Sequence, residues 1–232
     1  IGYNKKAYKE ATGKDAPSSM ADLWAAELKG RVGLLSEMRD TVGLVLLSQG
    51  IDITSADSLN DDAFDAALAV IKEQIDSGQI YNVRGNSYLD DLATENIIAA
   101  TAWSGDITVI NYEQATDEDP EPFGFVFPDT GATLWADEFI VPMGATHKRN
   151  VEELINYYYD PVNAAELALW VNYITPVVGA KEIAAQEDPE LAENQLIFPN
   201  EETLAKSFAF RSLTGQEEQR YSTAWQNLLL GA

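Results

Sequence analysis

Apolar positions recur along this chain with two different periods, and the places where the period changes mark its elements. The clearest helical stripe is Phe64, Leu68, Ile71 and Ile75. It predicts one amphipathic helix opening at Ser58 or Asn60, running to Asp76 and closed by Ser77-Gly78. Met20, Leu23 and Trp24 form a shorter stripe behind Ser18 or Ser19, through Leu28, with Lys29-Gly30 closing it. Residues 31–35 (RVGLL) read as a short buried strand, and Ser36 then caps a helix to about Ser48. A strand at 79–83, a turn at Gly85-Asn86-Ser87 and a short helix at 90–94 follow. Residues 96–103 (NIIAATAW) are apolar almost without a break, which predicts a parallel strand covered on both faces, with Ser104-Gly105-Asp106 starting the next helix. Residues 1–4 read as the end of a strand, 5–17 as a polar loop and 123–127 as a further strand. The repeating order of strand, turn and helix predicts an α/β fold with a doubly wound sheet.

The second half carries the densest aromatic and acidic pattern. Residues 131–142 (GATLWADEFIVP) read as a strand that Pro142 ends. On a strand Trp135 and Asp137 share a face, and an indole beside a carboxylate suits an organic cation. The same spacing also describes a half-buried Trp with an edge Asp. Glu37 and Asp40, three apart at the start of their helix, can either complement its dipole or stand as a carboxylate pair at the carboxyl end of a strand. Helices at 150–159 and 161–171 break at Asp160-Pro161, and Tyr157, Tyr158 and Tyr159 fall on different faces, as packing residues do. An extended link at 172–176 leads to helices near 179–186, 201–208 and 216–230.

Composition narrows the function. The chain of 232 residues is 46% hydrophobic, enough for a real core. With 38 acidic and 15 basic residues its net charge is −23, which argues against nucleic acid and weakly favours a cationic ligand. No cysteine is present, so disulfides, Cys-ligated zinc and thiol catalysis are excluded. The single histidine, His147, lies in a polar run and reads as a surface residue, and the acidic stretch 116–122 (TDEDPEP) lacks the ligand alternation of a calcium loop. No metal or cofactor is expected. No run of 18 apolar residues and no signal peptide is visible.

Several motifs, in order, resemble those of the periplasmic spermidine/putrescine-binding proteins of ABC importers: Trp24 within MADLWAAELKGRVGLL, EMRD at 37–40, AWSGD at 102–106, TLWADEFIVP at 133–142, INYYYDPVNAAELA at 155–168 and NYITP at 172–176. The resemblance implies a two-lobed, type II periplasmic-binding fold that holds a polyamine between aromatic rings and carboxylates. Motif by motif it implies ligand contacts from Glu37, Asp40, Trp103, Trp135, Asp137 and Tyr173. Ser87 is a further contact, with Asn86 as the alternative. At Arg211 the family often has glutamine; an arginine there implies a different ligand or a side chain turned to solvent. The resemblance further implies that residues 1–134 and 178–232 form the second lobe and that 135–177 is the return segment of the first. On the order of 100 residues of that first lobe would then lie outside this chain, and with them any signal peptide. It implies a monomer at the periplasmic or extracellular face of the membrane, delivering ligand to permease subunits, with no nucleic acid partner and no catalysis. The competing readings are another cationic amine or amino acid derivative as ligand, or a glycoside hydrolase using Glu37 and Asp137 as a carboxylate pair.

Overall fold

The computed structural model describes residues 1–231. In chain order the elements begin with strand β1 (Gly2–Asn4), helix α1 (Lys5–Thr12), helix α2 (Met20–Leu23), strand β2 (Val32–Leu35), helix α3 (Met38–Ser48) and helix α4 (Asp61–Asp76). Strand β3 (Ile80–Arg84), helix α5 (Tyr88–Ala93), strand β4 (Ala99–Ala100), helix α6 (Ser104–Gln114), strand β5 (Phe123–Phe125) and strand β6 (Ala132–Leu134) follow. Five helices come next: α7 (Lys148–Tyr158), α8 (Pro161–Val171), α9 (Ala180–Glu187), α10 (Pro189–Ala192) and α11 (Glu201–Ala205). Strand β7 (Ser207–Ala209) and helix α12 (Gly215–Leu230) complete the order. The chain divides into two compact units, residues 1–134 with 206–232 and residues 135–205.

The first unit is built on a five-stranded sheet in the order β3-β2-β4-β1-β5. Strand β2 runs parallel to β3 and β4, whereas β1 is antiparallel to both of its neighbours, so the sheet is mixed. Leu34, Val42, Leu46, Phe64, Ile71 and Tyr221 belong to its larger core, in which α4 and α12 meet through the stacked rings of Phe64 and Tyr221. A smaller core around Tyr88, Leu92, Ile97 and Ile107 packs α5 and α6 together with Leu35, Ala100 and Phe123 of the sheet. The predicted α4 stripe points inward at Phe64, Leu68 and Ile71.

Five local expectations change. Residues 5–12 are helical rather than looped: Asn4 Oδ1 accepts the Ala7 N–H at 2.9 Å, and Gly13, at φ +73°, returns its N–H to Lys9. Only Tyr8 of that helix is fully buried, so no long apolar stripe announced it. Glu37, not Ser36, is the N-cap of α3. Within 96–103 only Ala99 and Ala100 join the ladder. Within 131–142 only Ala132–Leu134 is a strand, paired in parallel with β7. Residues 135–142 belong to no strand, and alternation alone therefore does not set their facing. The helix expected at 201–208 stops at Ala205, because Ser207–Ala209 pairs with β6.

The second unit is helical. Its core is made of Ala164, Ala165, Ala168, Ala180, Ala184 and Ala192, capped by Ile197 and Phe198. These small side chains let α8, α9 and α10 approach closely. Asp160 accepts the Val162 N–H, and Pro161 occupies the first turn of α8, where no donor is lost. The unit extends through Ala205, so residues 178–205 pack with it.

Candidate functional site

The turn after β2 carries the acids of the first unit, and four hydrogen bonds fix it. The Leu35 N–H donates to Thr101 Oγ1 at 2.7 Å, and Thr41 Oγ1 donates to the Leu35 carbonyl at 2.7 Å. One residue on, the Ser36 N–H donates to the Arg84 carbonyl, and the Ser36 carbonyl accepts the Trp225 indole N–H at 2.8 Å. Neither Thr41 nor Thr101 has any solvent exposure, so each bond is protected from competition by water. The turn therefore presents Glu37 and Asp40 from a fixed backbone at the carboxyl end of a strand.

The two acids are not equivalent. Glu37 is exposed, and Ser36 Oγ donates to both of its carboxylate oxygens at 3.2 Å. Asp40 is buried, and its Oδ2 accepts the Trp103 indole N–H at 3.0 Å. Burial pushes the Asp40 carboxyl above the ordinary carboxylate range. The Trp103 bond opposes that, the nearby Glu37 charge adds to it and Arg39 subtracts.

Trp103 is half-buried at the N-cap of α6. Its backbone N–H donates to the Tyr88 hydroxyl at 3.2 Å, which in turn donates to Asp106 Oδ2 at 3.2 Å, and the Tyr88 ring meets the indole edge-on with centroids 6.3 Å apart. The turn before α5 passes beside Glu37: a methyl group added to Gly85 would lie 3.7 Å from Ser36 Oγ and 4.0 Å from Glu37 Oε1. Ser87 and Asn86 are both exposed in that turn, and Ser87 makes no capping bond to α5.

In the second unit Trp135 and Tyr173 pair, with ring centroids 5.7 Å apart and planes tilted by 59°. Trp135 is 43% exposed, leaving ring surface open to a ligand. Asn172 ends α8 in the left-handed conformation at φ +58°, turning the chain so that Tyr173 leaves the helix axis. Asp137 is exposed. The structure thus gathers Glu37, Asp40, Trp103 and the turn at Ser87 in one unit, and Trp135 with Tyr173 in the other.

Arg211 is not turned to solvent. Its side chain is 9% exposed and donates to the Leu59 carbonyl at 2.8 and 3.1 Å and to both carboxylate oxygens of Glu217 at 2.6 and 3.3 Å. The guanidinium, together with donors from Thr214, holds the Glu217 carboxyl down at about 2. These bonds occupy the guanidinium in tying the β7–α12 link to the loop before α4. His147 is exposed at the start of α7, and the loop at 116–119 bonds to itself through Thr116 and Asp119. Among the described residues no group of three His, Asp or Glu side chains is arranged to hold a metal ion.

Sequence reasoning missed Thr41, Tyr88, Thr101 and Trp225. None of them carries a charge, and each acts through a partner that only the fold brings near.

A model of the family described as bacterial extracellular solute-binding protein matches residues 1–195. A spermidine/putrescine-binding periplasmic protein of Haemophilus influenzae is 27% identical over 98% of this chain and 58% of its own length. One from Escherichia coli is 25% identical over 96% of this chain and 60% of its own. The chain therefore spans about three fifths of the curated relatives it matches. The solved spermidine/putrescine ABC transporter substrate-binding protein of Streptococcus pneumoniae matches 99% of this chain and 65% of its own with a TM-score of 0.73 at 21% identity, a likeness that establishes the fold as of the periplasmic-binding type.

Proposed function

This chain belongs to the bacterial extracellular solute-binding protein family, and from that membership we propose that it captures a polyamine, spermidine or putrescine, for an ABC importer. One observation carries the reading. An exposed carboxylate, Glu37, shares the start of one helix with a buried one, Asp40, whose charge it influences and to which the indole of Trp103 is anchored through its N–H. A polyamine needs both: acceptors for its ammonium groups and aromatic surface for its methylene chain. A cation against an indole face gains roughly 0.5–2 kcal/mol.

In this proposal Glu37, Asp40, Trp103 and Ser87 serve the ligand from the first unit. By the same motifs the second unit carries Trp135, Asp137 and Tyr173 as candidate contacts, and there the Trp135–Tyr173 pair offers ring surface. On motif order alone the proposal assigns residues 1–134 and 178–232 to the second lobe of the family's fold and 135–177 to the return segment, whereas the compact units group 178–205 with 135–177. The relatives' names support a periplasmic location, and the description of the solved neighbour supports an ABC transporter as the destination; in this proposal the chain acts as a monomer at the periplasmic or extracellular face of the membrane, hands its ligand to permease subunits and performs no catalysis.

The test is a titration with putrescine, spermidine and a panel of amino acids, read by calorimetry and by NMR shifts that follow weak binding. Binding of the amines that drops in Glu37→Gln supports the proposal. Binding of amino acids alone, or turnover of a glycan that Glu37→Gln abolishes, overturns it.

A further inference from the structure

Arg39 is a cation set between two acids. Glu37 is the N-cap of α3, and Arg39 and Asp40 stand in its first turn. A positive charge there opposes the helix dipole, and a long guanidinium side chain between two carboxylates competes for them with any cationic ligand. The ion pair of Arg39 is with neither neighbour. It is with Glu218 of α12, 179 positions later, and the guanidinium lies over the Phe210 ring at 5.9 Å from its centroid. Glu218 is itself oriented: Oε2 takes Arg39, and Oε1 accepts from Ser222 Oγ at 3.3 Å. Seven residues on, and so on the same face of α12, Trp225 donates to the Ser36 carbonyl. One face of α12 therefore grips the segment 36–39 at both ends. Each contact on Arg39 is weak alone at a half-exposed site, but two on one guanidinium fix where its charge sits.

We propose that Glu218 is a specificity-determining residue: by holding the Arg39 guanidinium against α12 it keeps a rival cation of the protein's own off the carboxylates that would receive an ammonium group. This rests on the polyamine reading for the identity of the ligand; the hold of Glu218 on Arg39 does not. An ammonium group approaching the turn meets either an arginine neutralised at contact distance or a free guanidinium. The free one repels the ligand and fills the acceptors the ligand needs. Glu218 thus strengthens cation binding without touching the cation. The charge of Arg39 already reaches the acids. Burial raises the Asp40 carboxyl, the Trp103 bond lowers it, Glu37 raises it and Arg39 lowers it.

The test separates release of a competitor from loss of a brace. Both side chains of the pair are half-exposed, so neither variant opens the core. In calorimetric titrations of the whole chain with spermidine, Glu218→Gln should lower affinity about threefold or more, and Arg39→Gln should bind at least as tightly as wild type. The double variant should return to the affinity of Arg39→Gln alone, because with no guanidinium to release Glu218 has nothing left to hold. Glu73→Gln, the same charge change at an exposed position late in α4, should stay within about twofold of wild type. A double variant that binds as poorly as Glu218→Gln would show that Glu218 only braces the turn and would overturn the proposal. An equal loss in Glu73→Gln would overturn it in favour of overall charge. In the ligand-free protein, the carboxyl carbon resonance of Asp40 should titrate at lower pH in Glu218→Gln than in wild type, as the freed guanidinium approaches, and at higher pH in Arg39→Gln. A titration unmoved or raised in Glu218→Gln also defeats the proposal. Absence of spermidine binding in the wild type would defeat the polyamine reading, and the ligand-free titrations would still decide the hold on Arg39.

Discussion

The indole N–H of Trp225, on the last helix, donates to the main-chain oxygen of Ser36 at 2.8 Å across 189 positions of sequence. Of the four bonds fixing the β2–α3 turn, it is the one contributed by the C-terminal helix. A second tie runs beside it, the ion pair between Arg39 and Glu218, with the Arg39 guanidinium also over the Phe210 ring.

Trp225→Phe should therefore act on the turn as well as on the core. An aromatic ring is kept, but a partly buried carbonyl loses its donor, a change that costs about 1 kcal/mol or more. Urea unfolding should show a lower midpoint with an unchanged slope, and the amides of residues 36–38 should exchange faster than in wild type. Unchanged exchange there would mean that α12 does not brace the turn.

Asp40→Asn should stabilise the protein near neutral pH. Burial raises the Asp40 carboxyl above its ordinary value, so in the window between the unfolded and folded values the native state holds a proton that the unfolded state has released. Stability then falls as pH rises through that window, and the ionised buried group remains a cost above it. Melting temperatures of wild type and variant should converge toward acid and separate, variant higher, toward neutral pH. The opposite order at neutral pH would show that the charge is compensated.

Glu217 should do the reverse. Arg211 and Thr214 lower its carboxyl from 4.5 to about 2, so it contributes stability that is complete above the ordinary value and is lost as pH falls from there toward about 2. Glu217→Gln should lower the melting temperature at neutral pH and flatten this acid limb. Arg211→Gln should destabilise by removing the donors to the Leu59 carbonyl, with no gain in polyamine affinity. A marked gain in affinity would place position 211 at the ligand.

Gly124→Ala should destabilise the β1–β5 pair. A methyl group there would lie 2.5 Å from the Tyr3 ring, and Tyr3 is itself packed edge-on against Tyr8. Overpacking of this kind costs about 1–3 kcal/mol, readable as a shifted urea midpoint. Tyr3→Leu in the same background should recover part of the loss.

Polyamine binding should weaken with salt. Raising ionic strength from about 0.1 M to about 1 M shortens the Debye length from ~10 Å to ~3 Å, and Glu37 is exposed to that screening. Calorimetry across the series should show a falling affinity whose slope is shallower in Glu37→Gln. Equal slopes would remove Glu37 from the contact.

The helices that pack on cores of their own were legible in the sequence, and the reason is periodicity. The stripe from Phe64 to Ile75 and the break at Asp160-Pro161 each leave a pattern that needs no partner to interpret. Helix α1 left none, since it buries a single ring. Strand β7 could not be read because Ser207–Ala209 is a strand only by virtue of its pairing with Ala132–Leu134. At the candidate site, Glu37, Asp40 and Trp103 were singled out from motifs, and the bond joining Asp40 to Trp103 spans 63 positions that no local spacing encodes. Tyr88 was missed for a related reason. Alone in a short helix it is an ordinary core aromatic, and its role arises from a hydroxyl directed at the Trp103 backbone.

The order of strands in the sheet has a consequence in time. Strand β1 lies between β4 and β5, yet its residues leave the ribosome long before either neighbour exists: Asn4 pairs with Phe123, roughly 120 positions later. At about 5–20 residues per second, β1 waits on the order of 6–24 s for β5 to emerge. Meanwhile β2 and β3, adjacent in sequence apart from α3 and α4, can already pair. A three-residue strand, Gly-Tyr-Asn, offers little edge for a wrong partner during that wait. The interior of the sheet is thus the part whose assembly finishes late, and a ribosome-bound chain stalled before residue 99 should hold β2 and β3 together while β1 is still open to protease.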